Sequence, residues 1–126
     1  MNKNWKAEIT EVAPNCAYIL DDPDIDGIES FWLEVYFEFT RDEQETLKQK
    51  SKVEEIFRLS HKHLYSQDLN YRSAVVLNFF EDLITHKWVQ DYLHNWISFD
   101  DFKEMDTVFK RQLSPEDFSK ISNSFR

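Results

Sequence analysis

The sequence predicts an all-α protein, an irregular antiparallel bundle of about five to seven helices around a central apolar helix at residues 71–84. Three observations predict it. One Gly and three Pro in 126 residues cannot furnish the many tight turns of a strand-rich fold, whereas Asn, Asp and Ser can serve helix connections. Apolar residues recur at three- and four-residue spacing along most of the chain. Near the end, Ser114-Pro115-Glu116-Asp117 reads as a helix start: a cap, a proline at the first helical position, then acids at the positive helix end.

Trp5, Ile9 and Val12 mark a first helix that ends before Pro14. The short apolar piece Ala17–Leu20 leads to the turn Asp21-Asp22-Pro23-Asp24-Ile25-Asp26-Gly27. From Ile28, the residues Trp32, Val35, Tyr36 and Phe39 share one helical face, widened by Phe31, Leu33 and Phe37. The same stretch alternates strictly over Leu33–Phe39, which is also the pattern of a strand. No hairpin partner is evident, and helix is the favoured reading. Arg41–Lys50 is charged, either continuing this helix or forming a connection. Val53, Ile56, Phe57, Ser60 and Leu64 form the next helix, with Ser51 as its expected cap. After the turn Ser66–Asn70, the Tyr71–Leu83 helix is apolar around most of its circumference and is expected to be the most buried. Trp88–Trp96 forms another helix, a stretch through Phe102, Met105, Val108 and Phe109 follows, and a last helix runs from Ser114 to about Ser122.

The length suits one domain, residues 1–126. Eleven Phe, five Tyr and four Trp make a core of large plates. The lone Cys16 excludes an internal disulfide and fits a reducing, cytoplasmic setting. Lys6 and Glu8 interrupt the apolar run a secretory leader would need, and no stretch reaches a membrane span. A net charge of −9 argues against nucleic acid and against anionic membrane surfaces.

That charge is localised. Between Asp21 and Glu45 there are ten acids against Arg41 alone, and the rest of the chain balances fourteen acids with fourteen bases. Aromatic anchors inside a ring of charge suit an electrostatically steered interface. Asp21, Asp22, Asp24, Asp26, Glu29, Trp32, Glu34 and Glu38 are therefore the expected partner-binding residues. The competing description is an amphipathic helix with a solvated acidic face.

Asp22-Pro23-Asp24-Ile25-Asp26-Gly27 opens like a calcium-binding EF-hand loop. Its twelfth position, which needs a bidentate Glu, is Leu33, so the acids are assigned to the turn and Asp26 to capping the Ile28 helix. His61 and His63 lie two apart and so on different faces of a helix, and His86 and His94 are eight apart. Neither pair has zinc-site spacing, and all four are expected at the surface or its boundary. No metal, cofactor or catalytic residue is assigned. No nucleophile signature surrounds Cys16 or any Ser, and the single Gly permits no phosphate-cradling loop. Glu81, after the apolar run, is expected to be partly buried and bonded to a neighbouring helix.

The run Val53-Glu54-Glu55-Ile56-Phe57, the turn Ser66-Gln67-Asp68-Leu69-Asn70 and the run Ala74-Val75-Val76-Leu77-Asn78-Phe79-Phe80-Glu81-Asp82-Leu83 resemble small helical bacterial immunity proteins that accompany polymorphic or contact-dependent toxins. The resemblance is confined to residues 53–83. It implies a cytoplasmic protein that binds and neutralises a cognate toxin domain, and a basic toxin would suit an acidic inhibitor; with no catalytic motif in the chain, no enzyme activity is expected. The alternative is a helical adaptor or regulatory module using the same face without a toxin partner.

Overall fold

The computed structural model describes residues 4–126. The described residues form ten α-helices, one 3-10 helix and one π-helical segment, with no strand. Helix α1 (Trp5–Val12) is capped by Asn4, whose side chain accepts the Ala7 N–H at 3.1 Å. The expected short apolar piece is a 3-10 helix, Pro14–Asp21, entered through its proline.

Helix α2 (Ile28–Arg41) replaces the strand alternative. A strand would place Leu33, Val35, Phe37 and Phe39 on one face. Here Val35 and Phe39 are buried with Ile28, Phe31 and Trp32, while Leu33 and Phe37 face outward. Its entry differs from expectation: Gly27, not Asp26, occupies the cap position. Ser30 Oγ accepts the backbone N–H groups of Asp26 and Gly27 at 3.1 and 3.2 Å, so a residue inside the first turn satisfies the donors before it.

The charged stretch contains its own helix, α3 (Glu43–Lys48), capped by Asp42. Helix α4 (Lys50–Leu64) follows after Gln49, which is its cap residue; Ser51 lies inside the helix rather than capping it. Asp68 caps α5 (Leu69–Val75), which runs on through the π-helical segment Val76–Phe80 into α6 (Glu81–Leu83). The wider winding brings the consecutive Phe79 and Phe80 both into the core. Helices α7 (Lys87–Trp96), α8 (Phe99–Glu104), α9 (Asp106–Gln112) and α10 (Pro115–Ser124) complete the chain. Ser98 and Ser114 cap α8 and α10 by accepting the Asp101 and Asp117 N–H groups, both at 3.1 Å. Periodicity undercounts the helices because apolar spacing continues across breaks at Asp42, Gln49 and Met105, where the backbone leaves helical geometry.

The α5–α6 rod is central as expected, with α2 and α4 packed on it. Ala74, Val75, Phe79, Phe80 and Leu83 are buried, but Leu69 and Leu77 reach solvent. The core is aromatic. Trp32 packs on Phe79 at 5.0 Å between ring centroids, Phe57 stacks on Trp96 at 5.1 Å, and Phe39 stacks on Trp88 at 5.7 Å. Such pairs each add about 0.5–1.5 kcal/mol beyond simple burial. Glu81 is half-buried and pairs with Arg111 of α9 at 3.4 Å, the interhelix partner expected for it. Among the described residues no helix is long and apolar enough to cross a membrane.

Candidate functional site

The acidic segment divides into two parts. In the loop before α2, Asp21, Asp22, Asp24 and Asp26 are all exposed while Ile25 plugs into the core. Asp22 Oδ1 accepts the Asp24 N–H at 2.9 Å, and Asp26 Oδ1 lies 3.3 Å from the Ser30 hydroxyl. These carboxylates shape the turn. Among the described residues no three His, Cys, Asp or Glu side chains converge as a metal site.

On α2, Trp32 is not a binding anchor. It is 0% exposed, because the four-three-four spacing Ile28–Trp32–Val35–Phe39 turns it inward. The exposed apolar residues are its neighbours on the opposite face, Leu33 at 40% and Phe37 at 51%. Their spacing of four places them on one stripe. At 100° per residue, Glu29 borders that stripe on one side, and on the other the exposed Arg41 comes first, followed by Glu34 and Glu38. Burial, reinforced by the neighbouring Glu38 and by Asp22, raises the Glu34 carboxyl above its ordinary range despite the opposing Arg41. The fold thus brings together three acids, Asp22, Glu34 and Glu38, that are spread over seventeen residues of chain.

Glu38 is also the edge of a polar cluster. Tyr18 of the 3-10 helix donates its hydroxyl to Glu38 Oε1. Lys52 of α4 donates to the Tyr18 oxygen at 2.6 Å and lies 3.4 Å from Glu38. Burial and the acceptor Glu38 raise the Tyr18 pKa, against the pull of Lys52. Burial alone would lower Lys52, but Tyr18 and Glu38 outweigh it and the ammonium is held more firmly. Beside this cluster is a cavity of about 390 Å³ bounded by the 3-10 helix, α2, α3 and α4. The sequence offered no sign of it, since Tyr18 and Lys52 are 34 residues apart and neither belongs to a motif.

Cys16 lines the same cavity. Burial pushes its thiol up to about 12, far from a reactive thiolate. Native protein should therefore react with a thiol-specific disulfide reagent much more slowly than urea-unfolded protein, as followed by the released chromophore. Equal rates would contradict this burial.

Two histidine clusters stand on α4, one buried and one at the surface. Contrary to the surface placement expected from sequence, His63 is 1% exposed. Trp32 Nε1–H donates to His63 Nδ1 at 3.0 Å. An indole only donates, so the imidazole proton sits on Nε2 and is given to Glu8 Oε1 at 2.8 Å. Both ring nitrogens are occupied, and the ring ties α1, α2 and α4 together. Sequence spacing showed only that His61 and His63 diverge; it could not show which one turns inward. His61 reaches Asp101, itself 4% exposed, with Nδ1 at 3.0 Å from Oδ2. The Tyr65 hydroxyl donates to the same carboxylate at 2.9 Å. This second cluster joins α4 to α8.

Burial lowers the His63 pKa below its ordinary 6.5, and Glu8 only partly offsets the effect. The unfolded chain therefore takes up a proton first as pH falls. The stability contributed by neutral His63 is fully present above pH 6.5 and is lost progressively as pH drops toward the folded value. Thermal melts from pH 8 to 5.5 should show the melting temperature declining through this window, and His63→Gln should flatten the decline. An unchanged slope in the variant would remove His63 as its source.

No family model matches this chain, and no curated protein or solved structure matches it either.

Proposed function

We propose that this chain acts by binding rather than by catalysis, as an inhibitor of the immunity type that docks a basic toxin domain on the outer face of α2 and the acidic loop before it. One observation carries the reading: the exposed Leu33–Phe37 pair lies beside Asp22, Glu29, Glu34 and Glu38, with Arg41 the one base next to it on α2. Single exposed apolar residues are ordinary on any surface. A paired apolar stripe beside a carboxylate, Glu34, that is crowded by Glu38 and Asp22 is different. A cationic partner relieves the repulsion and covers the stripe in one step, which supplies both steering and a desolvated anchor. Inhibition then follows from occupying the toxin's substrate face, in the cytoplasm where such a toxin would act.

The test is calorimetric titration of the full chain with a toxin domain encoded beside it. Phe37→Ala and Glu34→Lys should each weaken binding without unfolding the protein. Wild-type affinity in both variants would make the proposed face wrong.

A further inference from the structure

Leu69 is 70% exposed, more than any other large apolar side chain among the described residues, and Leu77 is 46% exposed. Both stand on the α5–α6 rod. With Val76 on the same rod, and Met105 and Val108 around the start of α9, they line a groove of about 320 Å³. None of its lining residues belongs to α2. We propose that this groove is a self-association surface: the rod of a second copy of the chain lies along it, antiparallel, related by a two-fold axis through Ser73.

Symmetry selects a second copy as the occupant. Leu69, Ser73 and Leu77 are all exposed and follow one another at four-residue steps, so they share one stripe of the rod. Turned end for end about Ser73, that stripe maps Leu69 onto Leu77 and Leu77 onto Leu69. A two-fold interface requires this property, because a residue that touches its counterpart must be touched by it in return. The small side chain at the centre lets two helices approach to about 8 Å between axes, and each Leu69 then meets the Leu77 of the other copy. Charge points the same way. The two charged residues lining the groove, Arg72 and Glu104, pair with each other at 2.8 Å. On α9, Asp106 pairs with Lys110 at 3.3 Å and Arg111 with Glu81 at 3.4 Å. The groove therefore calls for neither a cation nor an anion. The net charge of −9 is carried by the segment from Asp21 to Glu45, which is where a basic partner is drawn. Two like chains, by contrast, meet with least repulsion through a face whose charges are already paired.

Sedimentation equilibrium of the full chain tests the association. Between about 10 µM and about 1 mM the mass should rise from that of one chain toward that of two. Added salt should favour the dimer, because it screens the repulsion between the acidic segments and leaves the apolar contact in place. The toxin complex proposed above should weaken under the same change. Leu69→Glu places an acid in the first turn of α5, where the helix end favours it. Its melting temperature should hold while its mass returns to that of a single chain.

Ser73→Cys tests the axis. With diamide as oxidant it should form a disulfide-linked dimer at least about ten-fold faster than Leu69→Cys, read on a non-reducing gel. At the axis the two substituted residues face each other, whereas two Leu69 sites lie about 12 Å apart along the rods, beyond disulfide reach. The native Cys16 is buried and links neither variant. A wild-type chain that stays single at about 1 mM would overturn the proposal, and if Leu69→Glu also weakened the toxin complex the groove would belong to the toxin. A Leu69→Glu variant that associates like wild type, or Leu69→Cys linking as fast as Ser73→Cys, would overturn it as well.

Discussion

Trp32→Ala is expected to leave little folded protein at room temperature. The indole is fully buried against Phe31 and Phe79, and large aromatic deletions in cores cost about 3–5 kcal/mol through lost transfer energy and a residual cavity. The change also strips His63 Nδ1 of its donor in a site without access to solvent. Leaving a buried acceptor unpaired adds about 1–3 kcal/mol. Against a total stability of about 5–15 kcal/mol, the sum reaches the range in which the native state is lost. Urea unfolding followed by far-ultraviolet circular dichroism measures it. Trp32→Phe separates the contributions, because it retains most of the packing and removes the indole N–H. A midpoint for Trp32→Phe equal to wild type would mean that the Trp32–His63 bond contributes nothing. A midpoint for Trp32→Ala within experimental error of wild type would contradict the burial itself.

Phe37→Ala is the counterpart at the surface, with effects of the opposite kind. Half-exposed on α2, Phe37 can be truncated at little cost, since surface changes usually stay within about 0.5 kcal/mol. As the apolar centre of the proposed face it should behave as a hot spot, worth at least about 2 kcal/mol of binding. That corresponds to roughly a thirty-fold loss of affinity for the toxin domain. Glu34→Lys makes the comparison sharper. It removes a carboxylate already strained by burial and by Glu38 and Asp22, so the melting temperature should hold or rise. Association with a basic partner should nevertheless slow by about ten-fold at low salt, and the difference should shrink as salt screens the field. Stability and affinity moving in opposite directions is the signature of a functional surface. Parallel losses would reduce Glu34 to a structural residue.

Much of the fold is legible in the sequence. Scarcity of Gly, three- and four-residue apolar spacing and the Ser114-Pro115 start signal act within a few residues, and they determine helix and roughly where each begins. α1, α7 and α10 appear where periodicity places them. The errors lie at junctions. Ser51 and Asp26 are good capping residues, but Gln49 and Gly27 occupy the cap positions, and Ser30 satisfies the donors before α2 from inside its first turn. Met105 continues an apolar rhythm across a break, so two helices read as one.

The candidate site was legible in its charge and not in its anchor. Localisation of the whole imbalance between Asp21 and Glu45 is a property of the chain, and the loop acids Asp21, Asp22, Asp24 and Asp26 are exposed. Trp32, Leu33 and Phe37 are all large and apolar, and although the spacing puts Trp32 on the face of Ile28, Val35 and Phe39, it does not say how far round the helix burial extends. Packing on the α5–α6 rod chose Trp32 for the core and left Leu33 and Phe37 outside. The Tyr18–Glu38–Lys52 cluster, the cavity beside it and the burial of His63 arise from contacts between segments 14 to 55 residues apart. Local sequence sets backbone preference and the sign of a surface over short distances. Which side chains become neighbours, and so which acids repel and which imidazole loses water, depends on the simultaneous packing of helices far apart in the chain.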